Sequence, residues 1–273
     1  MVKKLFIMTS LALAVLGVAG SATAATLLPV PYYDVNKSAD PDDDYLCWAA
    51  TASNMLFYQG WTGGFGSAND LFDEFKFHWS NEYGHAYWAI DWWFTGDAPA
   101  GGDANLDNPI PGGGFYQAVT LWDTNAFYGS ETDEILNYMV GNVAGNRVWG
   151  MLLGYWDSTA NKGVGVHVVT GWGYDDYTAG GSSATIYITD SDLGGALPTD
   201  YAVSLISGRW YLPGYQDFDE TRDLYIMDSV SLEKNNGNPA GPHTPHIPEP
   251  ATLLLLGSGL LSLCLASKKI RKS

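Results

Sequence analysis

Gly163-Val-Gly-Val-His-Val-Val-Thr-Gly-Trp-Gly-Tyr174, followed by Asp175-Asp-Tyr-Thr-Ala-Gly-Gly-Ser182 and then Ala184-Thr-Ile-Tyr-Ile-Thr-Asp-Ser-Asp192, reads as strand, turn and strand. β-Branched and aromatic residues fill both flanks, while Gly, Asp and Ser fill the middle. That is the composition of an antiparallel hairpin. A register that sets Gly173 opposite Ala184 also sets His167 opposite Asp190. Directly opposed side chains have Cβ atoms ~5 Å apart. The hairpin therefore predicts an imidazole held by a carboxylate, with Asp192 on the same face as a second acid. A one-residue slip would send the two side chains to opposite faces. An Asp-rich strand end is also common without any function, so the pattern alone leaves both readings open.

An oriented histidine is half of a nucleophilic site; the other half is a group for it to activate. The chain has two cysteines, and Cys264 lies in a C-terminal apolar segment. Cys47 is thus the single cysteine of the folded region, in Asp44-Tyr-Leu-Cys-Trp-Ala-Ala-Thr-Ala-Ser-Asn-Met55. It has no internal disulfide partner, and an unpaired thiol in an exported protein is a liability unless buried or used. Residues 49–58 favour helix, Gly60 is a stop, and Asp43 and Asp44 stand where acids cap a helix start. Cys47 then falls in or near the first turn, where unpaired N–H groups and the helix dipole stabilise a thiolate. Asp42, Asp43 and Asp44 oppose a negative charge nearby. A small buried cysteine packing a helix is the competing reading. His78 and His85, in an aromatic stretch, have no clear register with any partner.

Both ends of the chain carry sorting information. Residues 1–24 have two lysines, a short apolar run and a small-x-small site before Ala25, which is the form of a cleaved signal peptide. Residues 251–267 are uncharged and are followed by Lys268-Lys-Ile-Arg-Lys272, so a tail anchor about 17 residues long with a cytoplasmic basic end is expected. The order Pro248-Glu-Pro250, apolar helix and basic cluster resembles the PEP-CTERM sorting signal. That resemblance, over residues 248–273, implies an exosortase-type processing enzyme as partner and delivery to the cell surface or extracellular matrix of a Gram-negative bacterium. Residues 235–247 are rich in Asn, Gly and Pro and read as a flexible linker, His243 and His246 included. Residues 25–234 remain as one domain.

All 30 acidic residues but only seven of the 13 basic ones lie between Ala25 and Pro250, a net charge of −23. Such a surface repels phosphate backbones and argues against nucleic acid as a partner. Asp103-Ala-Asn-Leu-Asp107 begins like a calcium loop but lacks the glycine at position six and the closing glutamate.

The segment Asp34 to Leu56, with Lys37 ten residues before Cys47 and Asp-Asp-x-Leu-Cys-x-Ala-Ala-Thr-Ala-x-Asn-Met-Leu, resembles the nucleophile region of the IdeS/Mac family of bacterial cysteine proteases, known for cleaving immunoglobulin G. His167-Val-Val-Thr-Gly-Trp-Gly and Ile186-Tyr-Ile-Thr-Asp-Ser-Asp192 resemble that family's histidine and acidic strands, and the likeness runs from about Tyr33 to Leu232. It implies an α+β, papain-like fold with the nucleophile on a helix N-terminus packed against an antiparallel sheet that carries His and Asp. It makes Cys47 the nucleophile, His167 the general base and acid, Asp190 the orienter, Asp192 a supporting acid and Lys37 part of the oxyanion site, with no cofactor and no metal. Trp48 stands where the family has a small residue, and its ring is expected to alter the cleft. The tract from Trp61 to Gly112 matches poorly. The function expected is a cysteine endopeptidase, acting on a protein or peptide, secreted or held at the cell surface. The alternatives are an amidase or acyl transferase on the same triad, and an inactive surface or matrix binding protein.

Overall fold

The computed structural model describes residues 24–37, 44–79, 81, 83–96, 112–119, 125–128, 134–157, 162–195, 197–215 and 222–241. In chain order the elements are β1 (Thr26–Leu27), α1 (Cys47–Tyr58), α2 (Ala68–His78), α3 (Ala86–Thr95), β2 (Asn125–Tyr128), α4 (Ile135–Ala144), β3 (Val148–Asp157), β4 (Lys162–Asp175), β5 (Ser183–Thr189), β6 (Thr199–Ile206), β7 (Arg209–Tyr211) and β8 (Arg222–Leu232). The strands pair antiparallel in the order β4-β3-β8-β7-β6-β5, and β5 pairs back onto β4. Six strands thus close into a barrel. β1 extends the ladder on β4, and β2 pairs with β8.

This closure corrects the expected fold class. The chain does not form the papain-like α+β arrangement implied by the resemblance, but a closed antiparallel barrel with few helices beside it. The physical reason lies in β4. It is 14 residues long: Lys162 to Gly171 pairs with β3, and Thr170 to Asp175 pairs with β5 on the other edge. A register shift at Trp172, between Gly171 and Gly173, bends the strand where the partners change. Closure leaves these six strands without an open edge.

The hairpin register also differs from the expected one. Gly173 pairs with Tyr187 rather than Ala184, and on the near side of the bulge Thr170 pairs with Thr189 and Gly171 with Ile188. At that near end the shift is two residues. An even shift keeps every side chain on its face. His167 and Asp190 therefore still share a face, as diagonal neighbours rather than as a directly opposed pair.

The barrel is filled by large residues. Met151 lies opposite Val169 and Leu153 opposite His167. Trp149, Met151, Leu153, Ile188, Val203 and Ile226 are all buried. Trp149 crosses Gly171 so closely that a Cβ there would lie 2.1 Å from the indole. On the outer face, α1 rests on β3 and β4 with α2 and α3 on its far side. Cys47 to Leu56 are all buried, and the alanines at 49, 50 and 52 permit that close approach. A Cβ at Gly150 would meet Thr51 at 2.9 Å and Met55 at 3.0 Å. Ser67 caps α2 through Asp70 N, and Gly96, with φ of 81°, ends α3 in the left-handed conformation that glycine adopts without strain.

The start of the expected linker is part of the folded unit. Asn235 N donates to Gln59 O at 2.7 Å, the Asn235 side chain accepts from Gly237 N and Asn238 N, and Gly241 N donates to Phe115 O at 2.7 Å. The signal segment up to residue 23, the acidic stretch 103–107 and the tail from 242 onward lie outside the described residues. Among the described residues, no helix is long and apolar enough to cross a membrane.

Candidate active site

Cys47 is the first residue of α1. Leu46 O accepts from both Ala49 N and Ala50 N, each at 3.0 Å. The N–H groups of Cys47 and Trp48 consequently lie outside the helix's own ladder, at its positive end. The expected capping by Asp44 is corrected. The helix has Leu46 at its N-cap, no side-chain cap and no acid in its first turn. Asp44 instead offers its backbone carbonyl to Lys37 Nζ at 2.9 Å. Tyr45 and Leu46 separate its carboxylate from the helix start. Asp42 and Asp43 lie outside the described residues.

β4 carries His167 and the chain just past β5 carries Asp190. His167 Nε2 lies 2.9 Å from Asp190 Oδ1. Cys47 lies near enough to His167 to raise the imidazole's pKa by hydrogen bonding and charge, and with Nε2 engaged by Asp190 the ring nitrogen left open is Nδ1. Asp192 Oδ2 lies 3.8 Å from that same Nδ1. Both oxygens of Asp190 are held: Asp192 N donates to Oδ1 at 2.9 Å, and Tyr215 OH donates to Oδ2. Lys37 Nζ forms an ion pair with Asp192, and Lys37 N donates to Ser191 O at 3.0 Å. The five residues singled out by sequence, Lys37, Cys47, His167, Asp190 and Asp192, are thus gathered in one place.

Burial dominates the electrostatics, since Cys47 is 6 % exposed, His167 3 % and Asp190 5 %. Desolvation alone would lower the His167 pKa, but the hydrogen bonds and charges of Asp190 and Cys47 outweigh it and hold the imidazole well above its usual value. Desolvation would raise the Asp190 carboxyl, but His167, Tyr215 and the Asp192 N–H outweigh that and hold it low. Nearby Asp34 goes the other way. Burial raises it to about 7, partly offset by the Gly195 N–H and reinforced by the charge of Asp190.

Supporting residues hold the three elements together. Asn54 of α1 accepts from Val35 N and donates to Thr170 Oγ1 of β4, each at 3.1 Å. Thr189 Oγ1 accepts from Trp172 Nε1 at 2.9 Å and donates to Tyr33 O at 3.1 Å. Tyr215 and Asn54 escape a sequence reading because nothing in their spacing marks them; Tyr215 follows the short β7 in a chain with 17 tyrosines. The Trp48 ring does not enter a cleft, contrary to expectation. It is buried against Trp79 and Phe75, with centroids at 5.3 and 6.2 Å, and a Cβ at Gly84 would lie 2.4 Å from it.

The other domain histidines serve the scaffold. His78 makes an i,i+4 pair with Glu74 at 3.1 Å. His85 caps α3 by accepting from Tyr87 N and meets Asp228 at 2.9 Å. His167, Asp190 and Asp192 bring three ligand atoms within 4.8 Å, a spacing a metal ion could use. The Lys37 ammonium on Asp192 competes with a cation there.

A family model of the PEP-CTERM protein-sorting motif matches residues 246–272. No curated protein matches the chain. The motif is the signal that an exosortase processing enzyme recognises, and it marks the chain for export and membrane-anchored sorting to the cell surface.

Proposed function

We propose that the chain is a cysteine endopeptidase of the surface of a Gram-negative bacterium, acting on a protein or peptide through Cys47, His167 and Asp190. One observation supports the assignment above the others: His167 stands between Cys47 and Asp190, with Nε2 2.9 Å from the carboxylate and Cys47 near enough to raise the imidazole's pKa by hydrogen bonding and charge. A nucleophile, a base and an orienter in this order are the requirement for acyl transfer by a thiol. The likeness of the Asp34-to-Leu56, His167-to-Gly173 and Ile186-to-Asp192 segments to the IdeS/Mac proteases adds the peptide bond as substrate.

In the proposed reaction the Cys47 proton passes to His167 Nδ1, and the thiolate attacks the scissile carbonyl carbon to form a C–S bond. The oxyanion forms near the N-terminus of α1, where N–H groups stabilise charge; Lys37 assists there, as the resemblance implies. The C–N bond then breaks, and the leaving amine takes the proton from His167. Water attacks the thioester, giving its proton to His167, and the acid product leaves as Cys47 regains its proton. Asp190 holds the Nε2–H throughout and stabilises the imidazolium. The −23 charge of the exported part favours neutral or basic substrates over acidic ones.

The test compares the protein with Cys47→Ser on a denatured protein mixture under reducing conditions. Cleavage by wild type alone supports the assignment. If neither cleaves while Cys47 still alkylates rapidly at neutral pH, the chemistry is acyl transfer on a different substrate. Slow alkylation typical of a free thiol sinks the enzyme altogether.

A further inference from the structure

A cleft of about 330 Å³ is lined by Tyr83 and by residues of strands β3, β4 and β8. Two links tie it to the chemistry. Gly154 and Val166, which line it, form the rung of the β3–β4 ladder next to Leu153 and His167, with the Val166 side chain on the opposite face of β4 from the imidazole. Tyr83, which faces it, lies close enough to Cys47 to feel its charge, and stacks on Tyr45 with ring centroids 4.6 Å apart. Tyr155, Tyr225 and Met227 line it too, and among the described residues no charged one does. In a chain of net charge −17 that is an exception. A charged group entering would lose water and find no counter-ion.

Glycines set the depth. A Cβ on Gly154 would lie 2.5 Å from Met227 Sδ. At Gly165, which lines the cleft, the one described neighbour a Cβ would meet is Tyr155, at an ordinary 3.4 Å, so a larger side chain there takes up space at the cleft wall without a backbone clash. The volume falls at the small end of ligand pockets, about 300–1,000 Å³, which is room enough for one large side chain. Tyr83 belongs to the tract from Trp61 to Gly112 in which this chain departs from the family it resembles, so the wall nearest Cys47 is this chain's own.

We infer that this cleft is the specificity pocket of the Cys47 site and takes one bulky apolar or aromatic side chain of the substrate, next to the bond that Cys47 attacks. The inference rests on the hydrolase assignment above and names the substrate class for it. An aromatic ring there lies among Tyr83, Tyr225 and Met227, and both ring–ring and sulfur–ring contacts favour it.

The test uses two Cys47-directed electrophiles on the full chain, chloroacetamide and N-phenethyl chloroacetamide, with the adduct at Cys47 followed by peptide mapping. The phenethyl probe is expected to react about tenfold faster or more once intrinsic reactivity with free cysteine is divided out, in line with the 10–200-fold that apolar contacts supply. Gly165→Val should bring that ratio toward one. Met227→Ala, which deepens the cleft, should shift the preference toward a naphthyl probe and guards against misfolding of the first variant. A reactive Cys47 with no preference for the aromatic probe overturns the pocket and leaves the hydrolase standing. A Cys47 as sluggish as a free thiol toward both probes overturns the hydrolase, and the pocket with it.

Discussion

Asp190 is held by three donors, from His167, Asp192 N and Tyr215. Removing the Tyr215 hydroxyl leaves one buried carboxylate oxygen short of a charge-assisted bond worth ~1.5–3 kcal/mol. Tyr215→Phe is expected to lower kcat/KM roughly tenfold, with the fold intact by circular dichroism. The pH behaviour follows from opposite shifts. His167 is raised above 6.5, so its contribution to stability is complete below that value and is lost as pH rises through the folded pKa. Asp190 is lowered below 3.8, so its contribution is complete above 3.8 and is lost as pH falls through the folded pKa. Both are fully present between 3.8 and 6.5. In a pH–rate profile, attack that needs the imidazolium should have its alkaline limb well above 6.5. Asp190→Asn should move that limb down; an unmoved limb would show that Asp190 does not set it. Asp34, raised to about 7, has the reverse sign for an acid. Its neutral form suits the fold, and that benefit fades as pH rises from 3.8 to about 7. The Tm gain of Asp34→Asn over wild type should therefore be near zero at pH 4 and positive at pH 8.

At the scale of elements, the hairpin shows what a local pattern can and cannot state. Strand, turn and strand were legible from composition, but the bulge at Trp172 was not. Its cause is the choice of a different partner by each end of β4, and no neighbouring residue encodes that. The His167–Asp190 contact survives because the shift at its end is even. Strand β4 also tolerates little bulk. Gly171→Ala drives a methyl into the Trp149 ring, 2.1 Å away without movement. Overpacking of that kind costs about 1–3 kcal/mol, and thermal unfolding should show a clear drop in Tm; an unchanged Tm would mean the indole can swing aside. On α1, the candidate nucleophile was visible because Cys47 is the single cysteine of the folded region. The direction of Trp48 was not visible, because it depends on Trp79 and Phe75 of a separate segment.

At the scale of the molecule, the sorting motif and the candidate site occupy separate stretches. The PEP-CTERM motif covers residues 246–272, while the last described contact of the folded unit is Gly241 N on Phe115 O. Truncation after Pro242 should leave the thermal transition unchanged and release the protein from the cell surface into the medium, as read by fractionation. Retention of the truncated chain on cells would assign anchoring to another surface.

The sequence by itself determined the export and sorting logic, the acidic character, and the residue types of the site with their order along the chain. These are properties of composition and short-range pattern, which a linear reading records. Only the tertiary structure decided that the strands close into a barrel, that Tyr215 and Asn54 brace the site, and that Tyr83 shares an apolar cleft with β3, β4 and β8. Each depends on contacts between segments far apart in the chain, such as β4 with β5 across a bulge and Tyr215 with Asp190, and is settled by packing rather than by the residues next door.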